Sequence, residues 1–333
     1  MKKLMNKPSG FVDEMLGGLI AANPSLALSG ETGRVVHRAK PTRKGKVGVV
    51  SGGGSGHLPL FTGYVGEGLL DGCSIGNVFE GPTVGSCIEA IRLADGGEGG
   101  LRLYGNYGGD RMNFDMAGEM LEDEGIRTTT VLGNDDVASA GPAERQKRRG
   151  VAGIIYAYKT AGALAETGAD LDAVTAIAQK TVDRTRTIGV ALSPCQVPGS
   201  DKPSFTLGEN EIEMGMGIHG EPGIWRDQLK PADSIADEMV ERLLADKPDG
   251  AGPRVSILVN SLGATPLEEL FILYRRARAK LESAGMTIVR PLVGHYATSM
   301  EMAGASISLC FVDDEIEALL GKPAYCPFWT VTA

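Results

Sequence analysis

The chain has 333 residues, and its 33 lysines and arginines against 42 aspartates and glutamates give a formal net charge of 33 − 42 = −9. Hydrophobic residues make up 42% of the sequence, which is enough to build a core and excludes a disordered chain. The negative charge argues against nucleic acid or an anionic membrane surface as the main partner, because both attract positive patches. The length exceeds that of a typical single domain, so two packed units are expected.

The cysteine pattern and the hydropathy exclude several further classes of protein. The five cysteines are scattered and lack C-x-x-C spacing, so neither a disulfide framework nor a zinc site is predicted. No stretch approaches the ~18 apolar residues of a membrane span, and no apolar segment of a signal peptide follows the first lysines. These features predict a soluble, reduced, cytoplasmic protein. Glycine is abundant, at 47 residues, which indicates tight turns and close backbone approach to a ligand.

Short apolar strands alternate with helices in the first half of the chain. Ser9 is a candidate N-cap for a helix that begins at Phe11. A predicted strand over residues 46–50 runs directly into the glycine-rich sequence SGGGSGH of residues 51–57. The elements predicted after it are a helix over 84–93, a strand over 101–104, a helix beginning near Asp110 and a strand over 128–132. This order predicts an α/β fold with a mostly parallel, Rossmann-like sheet.

The second half contains the predicted domain boundary. Helices over residues 152–166 and 171–184 and a strand over 187–192 precede an irregular, proline-containing stretch at 193–210. We therefore predict two α/β subdomains, an N-terminal one over residues 1–190 and a smaller α+β sandwich over 191–333. The elements predicted in the second are strands over 211–218, 254–259, 287–292 and 307–312, helices over 234–244 and 266–284, and a short final helix.

Two of the four histidines are candidate functional residues. His57 and His219 lie in glycine-rich loops that follow predicted strands, and ligands collect at the carboxyl ends of strands in open α/β sheets. His37 is predicted to be an exposed strand or loop residue. The role of His295 stays open, with a structural role favoured. The loop around His57 lacks the lysine of a Walker A loop and does not fit G-x-G-x-x-G, so it suits a small hydroxylated or phosphorylated substrate better than a nucleotide.

Four further polar side chains carry weaker signals. Asp110 follows a predicted strand, and it is either the N-cap of the next helix or an acceptor for a substrate hydroxyl proton. Asp135 and Asp136 are adjacent, so their side chains diverge, and solvated loop residues are a better interpretation than a metal site. Lys159 and Lys202 lie outside the glycine-flanked loops, which disfavours capture of a carbonyl as a Schiff base.

Five motifs together resemble the dihydroxyacetone kinase family, specifically its substrate-binding K subunit. The resemblance extends over essentially the whole chain, and GIHGEPG is its most specific part. The motifs are SGGGSGH at 51–57, NYGGD at 106–110, KPSFTL at 202–207, GIHGEPGI at 217–224 and NSLGATPL at 260–267.

The resemblance implies a homodimer of two-subdomain chains that bind a short ketose such as dihydroxyacetone. It implies that His219 binds the substrate carbonyl carbon covalently, as a hemiaminal. It also implies that His57 and Asp110 bind the substrate hydroxyls and activate the one that attacks phosphorus. The residues implied to line the same pocket are Gly54, Ser55, Gly56 and Gly105.

The resemblance places the phosphoryl donor on another chain. The K subunit carries no nucleotide or metal site in this family, and a helical L subunit holds ADP or ATP with magnesium. This chain would therefore need that partner, which is recharged either from free ATP or through a phosphotransferase-system protein. No cofactor on this chain is expected.

Two departures from the family pattern point to the size of the substrate. Residues 58–61 read LPLF where the family usually has EPAH, and Gly105 stands where members that phosphorylate dihydroxyacetone typically carry a lysine. Because the missing lysine side chain leaves space, a larger ketose such as erythrulose is an alternative substrate.

Two other classes of function remain as alternatives. A non-catalytic ketose sensor would need the tether at His219 but no acceptor for a hydroxyl proton, so the presence of His57 and Asp110 favours the kinase. A hydrolase with Ser55 or Ser261 as nucleophile is disfavoured, because neither serine lies in a G-x-S-x-G motif.

Overall fold

The computed structural model describes residues 2–332 and divides them into two compact units. The first unit holds the residues up to Leu132, Ala157–Lys180 and the residues from Leu319 onward, and the second holds Gly133–Tyr156 and Thr181–Ala318. This division differs from the single predicted boundary between residues 190 and 191. The chain passes from one unit to the other at four points. Three of these points lie inside helices, where no change in amino-acid composition marks a boundary.

The first unit is built on a six-stranded sheet with the order β1-β2-β4-β3-β5-β6. Its central strands β4, β3 and β5 are parallel, while β1, β2 and β4 pair in antiparallel fashion. The predicted α/β class with a mostly parallel sheet is thereby confirmed. The strands are β1 (Leu26–Ser29), β2 (Val35–Arg38), β3 (Gly48–Ser55), β4 (Gly72–Val78), β5 (Gly100–Gly105) and β6 (Thr128–Gly133).

Helices flank this sheet, and the buried face of each follows its apolar spacing. In α3 the buried residues include Phe114, Ala117 and Leu121, whereas the methionines at 112, 116 and 120 are exposed. The cap of α1 is Gly10 rather than Ser9. The helices are α1 (Phe11–Ala22), α2 (Val84–Ala94), α3 (Gly108–Asp123), α4 (Ile154–Ala165) and α5 (Leu171–Asp183).

The second unit contains a mixed sheet with the order β11-β10-β13-β7-β8-β9, and β12 also pairs with β10. Helices α6 and α7 pack on the apolar side chains of this sheet, including Ile188, Ile257 and Leu309. A small two-stranded sheet, β14-β15, belongs to the first unit. The elements are β7 (Thr185–Ala191), β8 (Glu211–Met214), β9 (Trp225–Gln228), α6 (Ala232–Ala245), β10 (Arg254–Ser261), α7 (Leu267–Ser283), β11 (Thr287–Ile288), β12 (Leu292–Gly294), β13 (Gly304–Phe311), α8 (Asp314–Leu320), β14 (Ala324–Cys326) and β15 (Trp329–Val331).

Strand β3 continues through the sequence that was predicted to be a loop. All eight of its residues are buried, and its glycines bring neighbouring elements close. A Cβ atom on Gly52 would overlap Ser74 O of β4 and lie 2.9 Å from Cζ of Phe114 on α3. The glycine run is therefore a packing requirement of the sheet and not only a flexible loop. Among the described residues, no helix is long and apolar enough to cross a membrane.

Replacing Gly52 by alanine is expected to lower the free energy of unfolding by about 1–3 kcal/mol, because the added methyl group overpacks the core. Gly85 on α2 is the matched control, since a Cβ atom there meets nothing within 4 Å. Thermal melting of Gly52→Ala and Gly85→Ala checks this expectation. Gly85→Ala should melt at or slightly above the wild-type temperature, because alanine has the higher helix propensity. A Gly52→Ala variant that melts at the wild-type temperature would show that the sheet adjusts to the methyl group.

Candidate functional site

Two of the candidate segments lie at one edge of the sheet in the first unit, together with the loop that follows β4. Strand β3 is parallel to both β4 and β5, so the carboxyl ends of the three strands lie on the same side. The segments that follow them are residues 56–61, 79–83 and 106–110. The structure therefore groups His57 and Asp110 at the edge where ligands bind in such sheets.

His57 is completely buried and enclosed by aromatic rings. Its imidazole stacks on Phe79 with ring centroids 5.0 Å apart and meets the edge of Phe61 at 6.2 Å. Phe79 has a φ of 63°, which is a rare conformation for a bulky side chain. Its N–H donates to Ser55 O at 3.0 Å, which fixes the loop after β4 to the end of β3.

The residues predicted to bind substrate through β3 have structural contacts of their own. Ser55 Oγ donates to Gly76 O at 2.8 Å. A Cβ atom on Gly54 would lie 2.8 Å from the backbone of Phe79 and Glu80. Gly56, with a φ of 101°, is the first residue beyond the strand. That their backbone N–H groups bind a substrate stays a prediction.

Asp110 lies in the first turn of α3 but is not its N-cap. The cap position belongs to Tyr107, whose N–H donates to Gly105 O at 2.8 Å. The Asp110 side chain is buried, and a Cβ atom on Gly81 would lie 2.7 Å from its Oδ1. Since Gly81 belongs to the loop that also carries Phe79, His57 and Asp110 face the same short loop.

In the second unit, the GIHGEPG motif connects β8 to β9. Gly217 N–H donates to Glu221 O at 3.0 Å and Gly220 N–H to Gly217 O at 3.1 Å, which closes a tight turn around His219. A Cβ atom on Gly217 would overlap Glu221 Oε2. Gly220 adopts a φ of 82°, which favours glycine. The glycines of the motif thus allow the Glu221 side chain to reach the backbone and the ring of His219.

Glu221 holds His219 at two points. Its Oε2 accepts the backbone N–H of His219 at 2.9 Å, and its Oε1 lies 3.0 Å from Nδ1 of the ring. Burial alone would raise the pKa of Glu221, but the hydrogen bond and charge of His219, together with the charge of Arg149, hold that pKa at about 2. The carboxylate is therefore ionised at neutral pH and can only accept hydrogen bonds.

The acceptor-only carboxylate determines which ring nitrogen of His219 carries the proton. Nδ1 must carry the proton of the hydrogen bond, so the neutral imidazole has its lone pair on Nε2. The side chain of His219 is 23% exposed, which leaves the ring accessible. This arrangement can present a nucleophilic nitrogen to an electrophilic carbon.

The histidine loop is also braced from the segment at residues 298–304. Ser299 Oγ donates to Ile218 O, and the buried thiol of Cys195 lies 3.7 Å from the same hydroxyl and 3.3 Å from Ser204 Oγ. Neither Ser299 nor Cys195 was identified as a candidate from the sequence. The available signals were that residues 298–304, which include Ser299, also resemble the family, and that Cys195 lies in the irregular stretch after the strand predicted over 187–192.

The structure corrects the interpretation of the two adjacent aspartates. Asp135 and Asp136 are buried rather than solvated. Asp135 accepts the backbone N–H groups of Val151 and Gly153, at 2.9 and 2.8 Å. Asp136 pairs with Arg149, whose Nη2 is 2.7 Å from Oδ2. Both carboxylates therefore have partners in the second unit.

The remaining candidates are held by structural contacts or lie on the surface. Lys159 is buried and donates to Leu319 O at 2.8 Å, and Ser261 Oγ donates to Thr265 O at 2.8 Å. His37 is half-buried on β2, with Ser29 Oγ 2.9 Å from its Nε2. Lys202 and His295 are exposed.

Comparisons with known proteins agree with these motifs. The Dak1 domain profile matches residues 17–328. The chain is 43% identical to the PTS-dependent dihydroxyacetone kinase 2, dihydroxyacetone-binding subunit DhaK, of Listeria innocua, over 99% of this chain and 100% of that protein. It is 42% identical to the L-erythrulose 1-kinase of Mycolicibacterium smegmatis, over 98% of this chain but 58% of that longer protein.

Solved structures give the same result. The dihydroxyacetone kinase of C. freundii superimposes with a TM-score of 0.90 at 32% identity, over 99% of this chain and 60% of that one. The dihydroxyacetone kinase operon co-activator Dha-DhaQ superimposes with a TM-score of 0.87 at 35% identity, over 93% and 96% of the two chains. The chain therefore belongs to the Dak1 domain family, within the dihydroxyacetone kinase family that its motifs resemble.

Proposed function

We propose that this chain is the ketose-binding subunit of a dihydroxyacetone-kinase-type phosphotransferase, with dihydroxyacetone as its substrate. The observation that carries the proposal is the contact between the ionised Glu221 carboxylate and Nδ1 of His219. It leaves Nε2 as a nucleophile, which is what covalent capture of a ketose carbonyl requires. The 43% identity to a dihydroxyacetone-binding subunit over its full length supports the choice of ketose.

The tethering step needs no cofactor. Nε2 of His219 forms a bond to the carbonyl carbon, and the C=O π electrons move to the oxygen, which gains a proton. The ring loses its Nδ1 proton, while Glu221 stabilises the positive charge that develops on the ring during the attack. The product is a neutral hemiaminal, and no water is lost. A polyol without a carbonyl, such as glycerol, cannot form it.

We assign the orientation and deprotonation of the substrate hydroxyl to His57 and Asp110. Phosphoryl transfer depends mainly on positioning and on stabilising charge, and a tethered substrate is held in attack geometry. The buried Asp110 carboxylate accepts the hydroxyl proton, and the enclosed His57 ring orients the hydroxyl. Gly54, Ser55, Gly56 and Gly105 border this edge of the sheet.

The partner in this proposal is a helical L subunit that brings the adenine nucleotide and magnesium. Its phosphoryl source is either free ATP or a phosphotransferase-system protein, as the name of the Listeria relative suggests for that protein. We further assign the chain to a homodimer in the cytoplasm. The nucleotide chemistry belongs to the partner, while this chain binds and orients the ketose.

Two alternatives have specific support. The L-erythrulose 1-kinase relative and the absence of a lysine at Gly105 support a four-carbon ketose as the alternative substrate. The structural likeness to an operon co-activator supports the other alternative, a ketose sensor without catalysis. Mixing the chain with an L subunit and magnesium-ATP separates the classes. Turnover supports the kinase, and ketose binding without turnover supports the sensor.

Native mass spectrometry tests the tether directly. Incubation with dihydroxyacetone is expected to add the full mass of one ketose per chain, and incubation with glycerol is expected to add nothing. Erythrulose serves as the comparison for substrate size, and the more populated adduct identifies the preferred ketose. A protein that forms no adduct with either ketose would contradict the proposed function.

A further inference from the structure

The GIHGEPG loop is connected to a buried ion pair that the tethering chemistry does not use directly. We infer that Arg149, fixed by Asp136, is a positioning residue that orients Glu221 and thereby keeps the proton of His219 on Nδ1. This inference rests on the proposed function of His219 as the tethering residue. All four side chains belong to the second unit.

Asp136 fixes the guanidinium of Arg149. Its Oδ2 accepts from Nε at 2.8 Å and lies 2.7 Å from Nη2, so two guanidinium nitrogens face one carboxylate. The backbone N–H of Ala138 donates to the other oxygen at 3.0 Å, which fixes the carboxylate in turn. Asp136 is only 4% exposed, so solvent does not weaken the pair.

Arg149 reaches from this pair to the histidine loop. Its Nη2 donates to Gly215 O at 3.2 Å, two residues before the motif begins at Gly217. Its Nη1 lies 3.9 Å from Glu221 Oε2. A Cβ atom on Gly217 would lie 2.6 Å from Nη1 and would overlap Oε2, so the absence of a side chain at this position lets the two groups meet.

The consequence for His219 follows from the two oxygens of Glu221. Oε2 faces Arg149 and the backbone N–H of His219, which leaves Oε1 for Nδ1. Loss of the arginine removes the positive charge that supports Oε2, which then keeps only the hydrogen bond from the His219 backbone N–H. The carboxylate can then turn away from the ring, and a proton on Nε2 competes with the one on Nδ1. In the Nε2–H tautomer the lone pair lies on Nδ1, which is turned towards Glu221, so Nε2 cannot attack a carbonyl.

A second arginine–glutamate pair on the same segment provides a matched control. Arg226 Nε donates to Glu213 Oε2 at 2.6 Å, and Glu213 Oε1 accepts Gly223 N–H at 2.6 Å. This pair braces the end of the same loop but does not contact His219. Arg226→Met therefore reports what loosening the loop does without any effect through Glu221.

The test uses ¹⁵N-histidine spectra of the ligand-free protein together with the rate of adduct formation. Arg149→Met is expected to raise the share of the Nε2–H tautomer of His219 and to slow adduct formation about tenfold. Arg149→Lys keeps the charge and should restore part of both. Arg149→Met alone leaves the buried Asp136 carboxylate without its ion pair, which can impair folding. The double variant Asp136→Asn/Arg149→Met removes that charge as well. It should show the same change in tautomer and adduct rate as Arg149→Met.

Two results would overturn the inference. One is a wild-type tautomer ratio and adduct rate in both the single and the double variant. The other is an equal effect of Arg226→Met, which would reduce Arg149 to a general brace of the loop. Because the tautomer is measured without ketose, a wild-type protein that forms no adduct contradicts the proposed function, while the spectra still test the role of Arg149.

Discussion

Replacing His219 by asparagine is expected to abolish the ketose adduct and to lower kcat/KM for ketose phosphorylation by at least about 10³-fold. The physical reason is that the tether supplies the orientation of a very small substrate, a contribution that reaches ~7–11 kcal/mol in ideal intramolecular systems. Asparagine keeps a polar group that Glu221 can bond, but it offers no nucleophilic nitrogen. Native mass spectra and steady-state kinetics with an L subunit measure the two effects.

His295→Asn is the control for this prediction, because His295 is an exposed histidine of the same unit. It should keep both the adduct and the turnover of the wild-type protein. If His219→Asn still discriminates dihydroxyacetone from glycerol as the wild type does, the carbonyl is not recognised by a covalent bond at this residue.

Replacing Asp110 by asparagine is expected to reduce kcat by about 10²–10⁴-fold, the range of general base catalysis, while the ketose adduct still forms. Asparagine has nearly the same shape but cannot accept the hydroxyl proton. The variant therefore separates the step at the first unit from the tether on His219. The measurement is kcat alongside adduct occupancy at the same ketose concentration.

Asp115→Asn is the matched control, since Asp115 lies on α3 as well but its side chain is 52% exposed. It should leave kcat within about twofold, in line with surface substitutions generally. A variant at Asp110 that turns over normally would remove this carboxylate from the chemistry and leave His57 as the only candidate acceptor at that edge.

Strand prediction from the sequence worked for long apolar strands, but it failed for glycine-rich strands and for short ones such as β1 (Leu26–Ser29). The strands over Thr128–Gly133 and Arg254–Ser261 have continuous β-branched or apolar runs, and both were predicted. Strand β4 (Gly72–Val78) was not predicted, and β3 was predicted to end at residue 50. In both, small residues are required because neighbouring backbone approaches closely, which local propensity does not encode.

The residues of the candidate site were also only partly predictable from the sequence. His57 and His219 were identified because glycines flank them in the sequence, and the structure places both in loops after strands. Asp136 and Arg149 were not, because they are 13 residues apart and their pairing depends on how the chain folds back. The prediction that Asp136 is solvated was wrong for the same reason. Burial, with Arg149 opposing it, raises the pKa of Asp136 to about 6.

The interleaved course of the chain limits how the protein can be dissected. A fragment that starts at residue 191 would lack residues 133–156, and with them the aspartate and arginine that support the histidine loop. It would also lack strand β7, which lies between β13 and β8 in the sheet. Dividing the gene at the proline-containing stretch therefore yields two fragments that each lack part of a unit. Fragments meant to complement each other should instead be divided at the positions where the chain passes between the two units.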